Sequence, residues 1–221
     1  MLRSALRRPP AFLFALVLAA ALPARAADGT CPADMARVPG LRACIDRFEA
    51  SLEGGVPGGP DGKGMTAHAV SRKGVKPSTS ISQLQAAAAC AKAGKRLCQR
   101  DEWTAACKGP EAKRKYPYGD RYEPQRCNDR ARSRRQKSPA SVPTGSLNAC
   151  RTPEGVHDLS GNLWEWLAAP AGARSASLVG GGYGNDSEDD NLSCVPEDPM
   201  GQPLEQQVDG IGFRCCLSLA P

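Results

Sequence analysis

Aromatic side chains are scarce in this chain, with four Phe, four Tyr and three Trp in 221 residues, and histidine occurs only at positions 68 and 157. Two separated imidazoles do not supply a facial triad for an iron centre. The basic run of Arg130, Arg132, Arg134, Arg135 and Lys137 carries no interleaved aromatic, so it lacks the stacking platforms of a nucleic-acid surface, and no nucleic-acid partner is expected. No C-x-x-C pair occurs, which argues against thiolate zinc clusters. G-x-S-x-G, a Gly-rich phosphate loop and a pair of catalytic carboxylates are missing too, so an unrelated hydrolase is not indicated. Beyond Leu22 no stretch is apolar enough to span a bilayer, because Arg, Lys, Asp and Glu recur throughout.

The start of the chain reads differently. Arg3, Arg7 and Arg8 precede an apolar run from Ala11 to Leu22, followed by Ala24-Arg25-Ala26, the small-x-small form of a signal-peptidase site. Residues 1–26 are therefore expected to be a cleaved leader, residues 27–221 a single domain, and the product periplasmic or secreted with no stable membrane insertion. The four arginines of the leader account for the drop in net charge from +6 to +2 on its removal. The remaining charge is patchy: the basic run is answered by an acidic one, Asp186, Glu188, Asp189 and Asp190, and both read first as solvated loops. All ten cysteines follow the leader, and an even number in an exported chain reads as a disulfide framework. Adjacent Cys215 and Cys216 must take different partners, since side chains of an extended segment alternate faces.

Local patterns predict sparse regular structure. Met35, Val38, Ile45 and Phe48 mark two short strands around Pro39-Gly40, and the Gly- and Pro-rich segment 54–64 reads as a flexible surface loop. Ser82, then Gln83 to Ala93 and Gly94, has a capping residue, strong helix formers and a terminal glycine. A second helix runs from Arg100 to Ala106 and stops at Lys108-Gly109-Pro110. The stretch that follows is read as loops, His68 as lying in a polar loop, and Leu178-Val179 and Ile211 to Leu217 as strands. The whole reads as an α+β domain with much loop pinned by disulfides.

Four stretches coincide, in order, with one family pattern: Ala93-Gly94-Lys95-Arg96-Leu97 with Glu102-Trp103, Tyr116-Pro117-Tyr118-Gly119, Gly155 to Trp166 containing Gly161-Asn162-Leu163-Trp164-Glu165-Trp166, and Gly212-Phe213-Arg214-Cys215. The chain resembles the formylglycine-generating-enzyme, or sulfatase-modifying-factor, family from about Met35 to Cys216. The resemblance implies a fold related to C-type lectins, and disulfides Cys90–Cys215 and Cys107–Cys194. The residues leave the pairing of the other six open; the arrangement taken here is Cys31–Cys44 by proximity, with Cys98–Cys216 and Cys127–Cys150.

Copper-using members of that family hold Cu(I) through two cysteines shortly after the double glycine. By spacing, those positions fall here on Asn185 and Asp190, whose hard oxygens are poor Cu(I) ligands, so copper is not expected. The resemblance also implies calcium at the Gly-Asn turn, through Asp158, Asn162 and Glu165 and the carbonyls of Gly161 and Leu163. The alternative is that Asn162 and Glu165 hydrogen-bond within the protein while Trp164 and Trp166 pack as core. The functional expectation is a family member without copper oxidase activity, binding a peptide, a glycan or a surface protein. Its rival is an oxidoreductase acting on protein or small thiols, with another metal at Asn185, Asp186, Asp189 and Asp190.

Overall fold

In the computed structural model, residues 25–26, 29–111, 113–186, 190–195 and 201–220 are described. The leader lies outside them apart from Arg25–Ala26, a two-residue strand β1 pairing parallel with Ser218 and Leu219. Strands are short throughout. One sheet contains β2 (Met35–Arg37), β3 (Ala43–Asp46), β6 (Arg96–Leu97) and β11 (Cys215–Leu219), with β3 and β6 both antiparallel to β11. A second has the order β10 (Ile211–Phe213), β7 (Trp164–Trp166), β8 (Ser175–Val179), β9 (Gly201–Pro203), with β10 and β7 parallel. A hairpin pairs β4 (Ala50–Glu53) with β5 (His68–Ser71). His68 is thus a strand residue opposite Glu53, not part of a polar loop, because the two-residue alternation of the short strand is too brief to detect in sequence.

Helix α1 (Gln83–Lys92) begins in a capping box: Gln85 N donates to Ser82 Oγ at 3.1 Å, and Ser82 N donates to Gln85 Oε1 at 2.9 Å. Its run of alanines lets Ala86 and Ala89 lie fully buried against the hairpin and the second sheet. Helix α2 (Arg100–Lys108) has Asp101 and Glu102 in its first turn and Lys108 in its last, the orientation that the helix dipole favours. It carries Trp103 into the core, where that ring is wholly buried. The segment expected to be flexible, 54–64, is fastened to the start of α1: Ser82 Oγ donates to Pro60 O at 2.5 Å and Gln85 Nε2 to Gly58 O at 2.6 Å.

The buried apolar residues form two main clusters, one around Trp103, Ile45 and Leu159, the other around Trp166, Phe213 and α1. Strand β11 runs between them. Its alternation sends Cys215 into the second cluster, where it bonds Cys90, and Cys216 into the first, where it bonds Cys98. The other disulfides are Cys31–Cys44, Cys107–Cys194 and Cys127–Cys150, so all ten cysteines are paired. No helix among the described residues is long and apolar enough to cross a membrane.

Candidate functional site

The turn from Gly155 to Trp166 is where the chain concentrates polar side chains in the core. Asp158 and Asn162 both adopt left-handed backbone, at φ 57° and 63°, which non-glycine residues rarely do. Gly161 between them, at φ 75°, lies so close to the 127–129 segment that a Cβ would sit 2.6 Å from Asn128 O. The turn is tied on both sides: Asn162 N donates to Asn128 O at 2.9 Å, Gly161 N to Gly180 O at 2.8 Å, and Tyr183 N to Asn162 O at 3.0 Å. It therefore sets the position of the Gly180–Asn185 segment that follows β8.

Asp158, Asn162 and Glu165 of the turn each meet different protein partners. Glu165 accepts Arg214 Nε at 2.7 Å and Trp103 Nε1 at 2.8 Å, and its second oxygen accepts Arg214 Nη2 at 2.5 Å. Arg214 is wholly buried and also donates to the carbonyls of Asp46 and His157. Asn162 donates to Glu49 Oε2 at 2.5 Å and accepts from Asn128 Nδ2 and Val142 N. Asp158 accepts Thr144 Oγ1 at 2.8 Å and Gly145 N at 2.6 Å.

Three buried carboxyls, Glu49, Asp158 and Glu165, thus share one buried guanidinium. Burial pushes the Asp158 carboxyl up to about 6, and burial followed by the charges of Asp158 and Glu165 raises Glu49 well above its ordinary value. His157 stacks on Phe48 at 5.0 Å, and its buried Nδ1 has no hydrogen-bond partner. Its pKa is pushed down to about 4, by burial first and then by Lys73, Arg151, Arg214 and Arg47.

This geometry does not fit the calcium that the resemblance implied. Asp158, Asn162 and Glu165 face separate partners instead of converging on a point, and both Glu165 oxygens are occupied by a buried cation, which would repel a second one. Nor do the described residues contain any cluster of three or more His, Cys, Asp or Glu able to hold a metal. The alternative of internal hydrogen bonding describes Asn162 and Glu165, and Trp164 and Trp166 are core. Glu49, Asn128, Thr144 and Arg214 complete the network. No motif singled out the first three, and Arg214 was visible only as part of Gly212-Phe213-Arg214.

The second candidate segment follows Gly182. Asn185 Oδ1 accepts Gly182 N at 2.9 Å, and Asn185 O accepts Arg130 N at 2.8 Å. Asp186 pairs with Arg130 at 3.1 Å and Asp190 with Lys115 at 3.2 Å; Asp189 lies outside the described residues. The basic and acidic runs are therefore not two independent solvated loops. Arg130–Ser133 forms a short helix α3, capped by Asp129, whose Oδ1 accepts Arg132 N at 2.8 Å; Arg130 docks onto the acidic segment. Cys194, the one cysteine nearby in sequence, is committed to Cys107.

Comparison with known proteins places this arrangement. The model of the sulfatase-modifying factor enzyme 1-like domain family matches residues 50–219. Two curated relatives named inactive C-alpha-formylglycine-generating enzyme 2 align with it: the Mus musculus protein at 31% identity over 64% of this chain, and the Bos taurus protein at 29% over 63%. The matched region amounts to 49% of each relative, so the chain spans about half the length of the curated relatives it matches. Among solved structures, Treponema denticola variable protein 1 superposes with TM-score 0.60 at 14% identity, over 84% of this chain and 91% of that one. PvdO from Pseudomonas aeruginosa does so with TM-score 0.56 at 15% identity, over 80% of each chain.

Proposed function

This chain belongs to the sulfatase-modifying factor enzyme 1-like domain family, and from that premise we propose that it is an exported member without copper oxidase activity, working as a binding or assembly module. Its fold is the C-type-lectin-like α+β fold of that family, and function must be argued from the site, not the fold. The observation that carries the proposal is the cysteine inventory. Cu(I) oxidation of a thiol requires soft thiolate ligands, yet all ten cysteines are consumed in disulfides, and the two expected ligand positions hold Asn185 and Asp190.

Asn185 and Asp190 serve the segment itself, through Gly182 and Lys115, and the relatives' printed description as inactive enzymes agrees with that. Export is supported by the leader-like residues 1–26 and by five disulfides, which persist in oxidising compartments. The partner expected of such a module is a peptide, a glycan or a surface protein, met in the periplasm or outside the cell.

The test is elemental analysis combined with thiol titration, on protein purified from an oxidising compartment. The proposal expects no copper or iron and no free thiol. Copper or iron at one per chain, with two titratable thiols, would restore the oxidoreductase reading.

A further inference from the structure

A concavity of about 330 Å³ opens between the Tyr118 loop and the segment that precedes the Gly155 turn. Tyr118, Arg126, Asn148 and Arg151 supply its polar lining, and Ala149 and Pro153 its apolar part. We propose that this pocket is a binding site for a phosphate or sulfate monoester on a small molecule, held by Arg126 and Arg151. None of its lining residues is one of the copper positions, Asn185 and Asp190, and its ligand would bind whether or not the protein oxidises thiols.

The platform is built before any ligand arrives. Tyr118 stacks on Tyr116 at 5.7 Å with an interplanar angle of 11°, and the Arg126 guanidinium lies 4.6 Å over the Tyr118 ring. Arg126 is held by two further contacts, Nε to Ala149 O at 3.0 Å and Nη1 to Glu123 at 2.6 Å, which leave its Nη2 group as an available donor. Asn148 is oriented in turn, because its Oδ1 accepts Lys73 Nζ at 3.0 Å, and its amide NH2 is the donor it still offers. Burial pushes the Tyr118 hydroxyl up to about 12, so it keeps its proton as a donor.

Charge favours an anion. Arg151 is exposed and forms no ion pair among the described residues, and Lys73 meets an amide instead of a carboxylate. Glu123 neutralises Arg126 alone, and Glu154, next to Pro153, is taken by Arg114 at 2.8 Å. The cations around this face thus outnumber the acids paired with them; the pKa of neighbouring His157 is depressed by burial first, and then by the charges of Lys73 and Arg151 on this face. Four donor-bearing side chains suit a tetrahedral oxyanion, whose several oxygens each need a partner, and guanidinium forks are the usual choice for it. The volume lies at the small end for ligand sites, enough for an anionic head group with one sugar ring.

Isothermal titration with glucose 6-phosphate, glucose 6-sulfate and glucose tests the assignment directly. Saturable binding of at least one ester, with none for glucose, is expected. Arg151→Ala, at an exposed position, should weaken it about tenfold or more, whereas Lys92→Ala on α1 should leave it unchanged. Arg126→Ala, checked for folding by its melting temperature, should weaken it similarly. The two esters are told apart by pH: phosphate binding should fall below pH ~6 as the dianion takes up a proton, and sulfate binding should not. Equal binding of glucose, no binding of either ester, or an unchanged affinity in Arg151→Ala would overturn the proposal.

Discussion

At the scale of single residues, the centre of the molecule is the contact of Glu165 with Arg214 and Trp103. A buried ion pair contributes little net stability against an apolar replacement, but losing one partner strands the other charge away from water. Glu165→Gln, which keeps the shape and removes the charge, should therefore cost about 3–5 kcal/mol in urea unfolding. A cost below about 1 kcal/mol would mean that Glu49 or Asp158 already balances Arg214. The sequence made Trp164-Glu165-Trp166 conspicuous but could not say what Glu165 meets, because Trp103 and Arg214 reach it from separate parts of the chain. Family resemblance suggested a cation for these oxygens, and the cation that they meet is a side chain of the protein itself.

Among elements, those set by local chemistry were legible and those set by pairing were not. The first helix was written in its Ser82 cap and Gly94 stop, and the second in the run from Arg100 to the Gly109-Pro110 breaker. Helix α3 was hidden in a basic run, since its four residues owe their form to the Asp129 cap and to docking on the acidic segment. Strands of two to four residues carry no usable periodicity, so the hairpin of His68 was missed. The turn itself offers a test. Gly161→Ala would place a methyl against Asn128 O in a left-handed conformation, and should lower stability by about 1–3 kcal/mol in thermal unfolding. Removing the bridge that ties α2 to the acidic segment, with Cys107→Ala and Cys194→Ala together, should cost about 2–5 kcal/mol, because it frees a loop of 87 residues in the unfolded chain. A double variant as stable as the parent would show that the other four bridges already restrict that loop.

Over the whole molecule, buried carboxyls give stability a pH dependence whose sign can be worked out. Burial pushes Asp46 and Asp158 up to about 6 and raises Glu49, whereas the unfolded groups titrate near pH ~4. Between those limits the folded state binds more protons, so these groups make stability fall as pH rises through the window. His157, pushed down to about 4, acts in the opposite direction between about pH 4 and its unfolded value. Three carboxyls outweigh one imidazole, and the urea midpoint should be higher near pH ~5 than near pH ~7.5, by about 1–3 kcal/mol in stability. A lower midpoint in acid would show that the carboxyls stay ionised in the core.

The fold and its family were legible across most of the chain because the glycine turns and tryptophan positions survive as sequence. For the metal, the proposed function rests on a simpler argument, since Asn185 and Asp190 offer no thiolate to Cu(I). The measurement that bears most directly on that account is the incubation of the purified, oxidised protein with copper, oxygen and a cysteine-containing sulfatase peptide, followed by mass spectrometry of the peptide. The cysteine should remain unconverted at every copper concentration. Turnover to formylglycine would contradict the account, and would mean that a disulfide of this chain opens to supply the copper ligands.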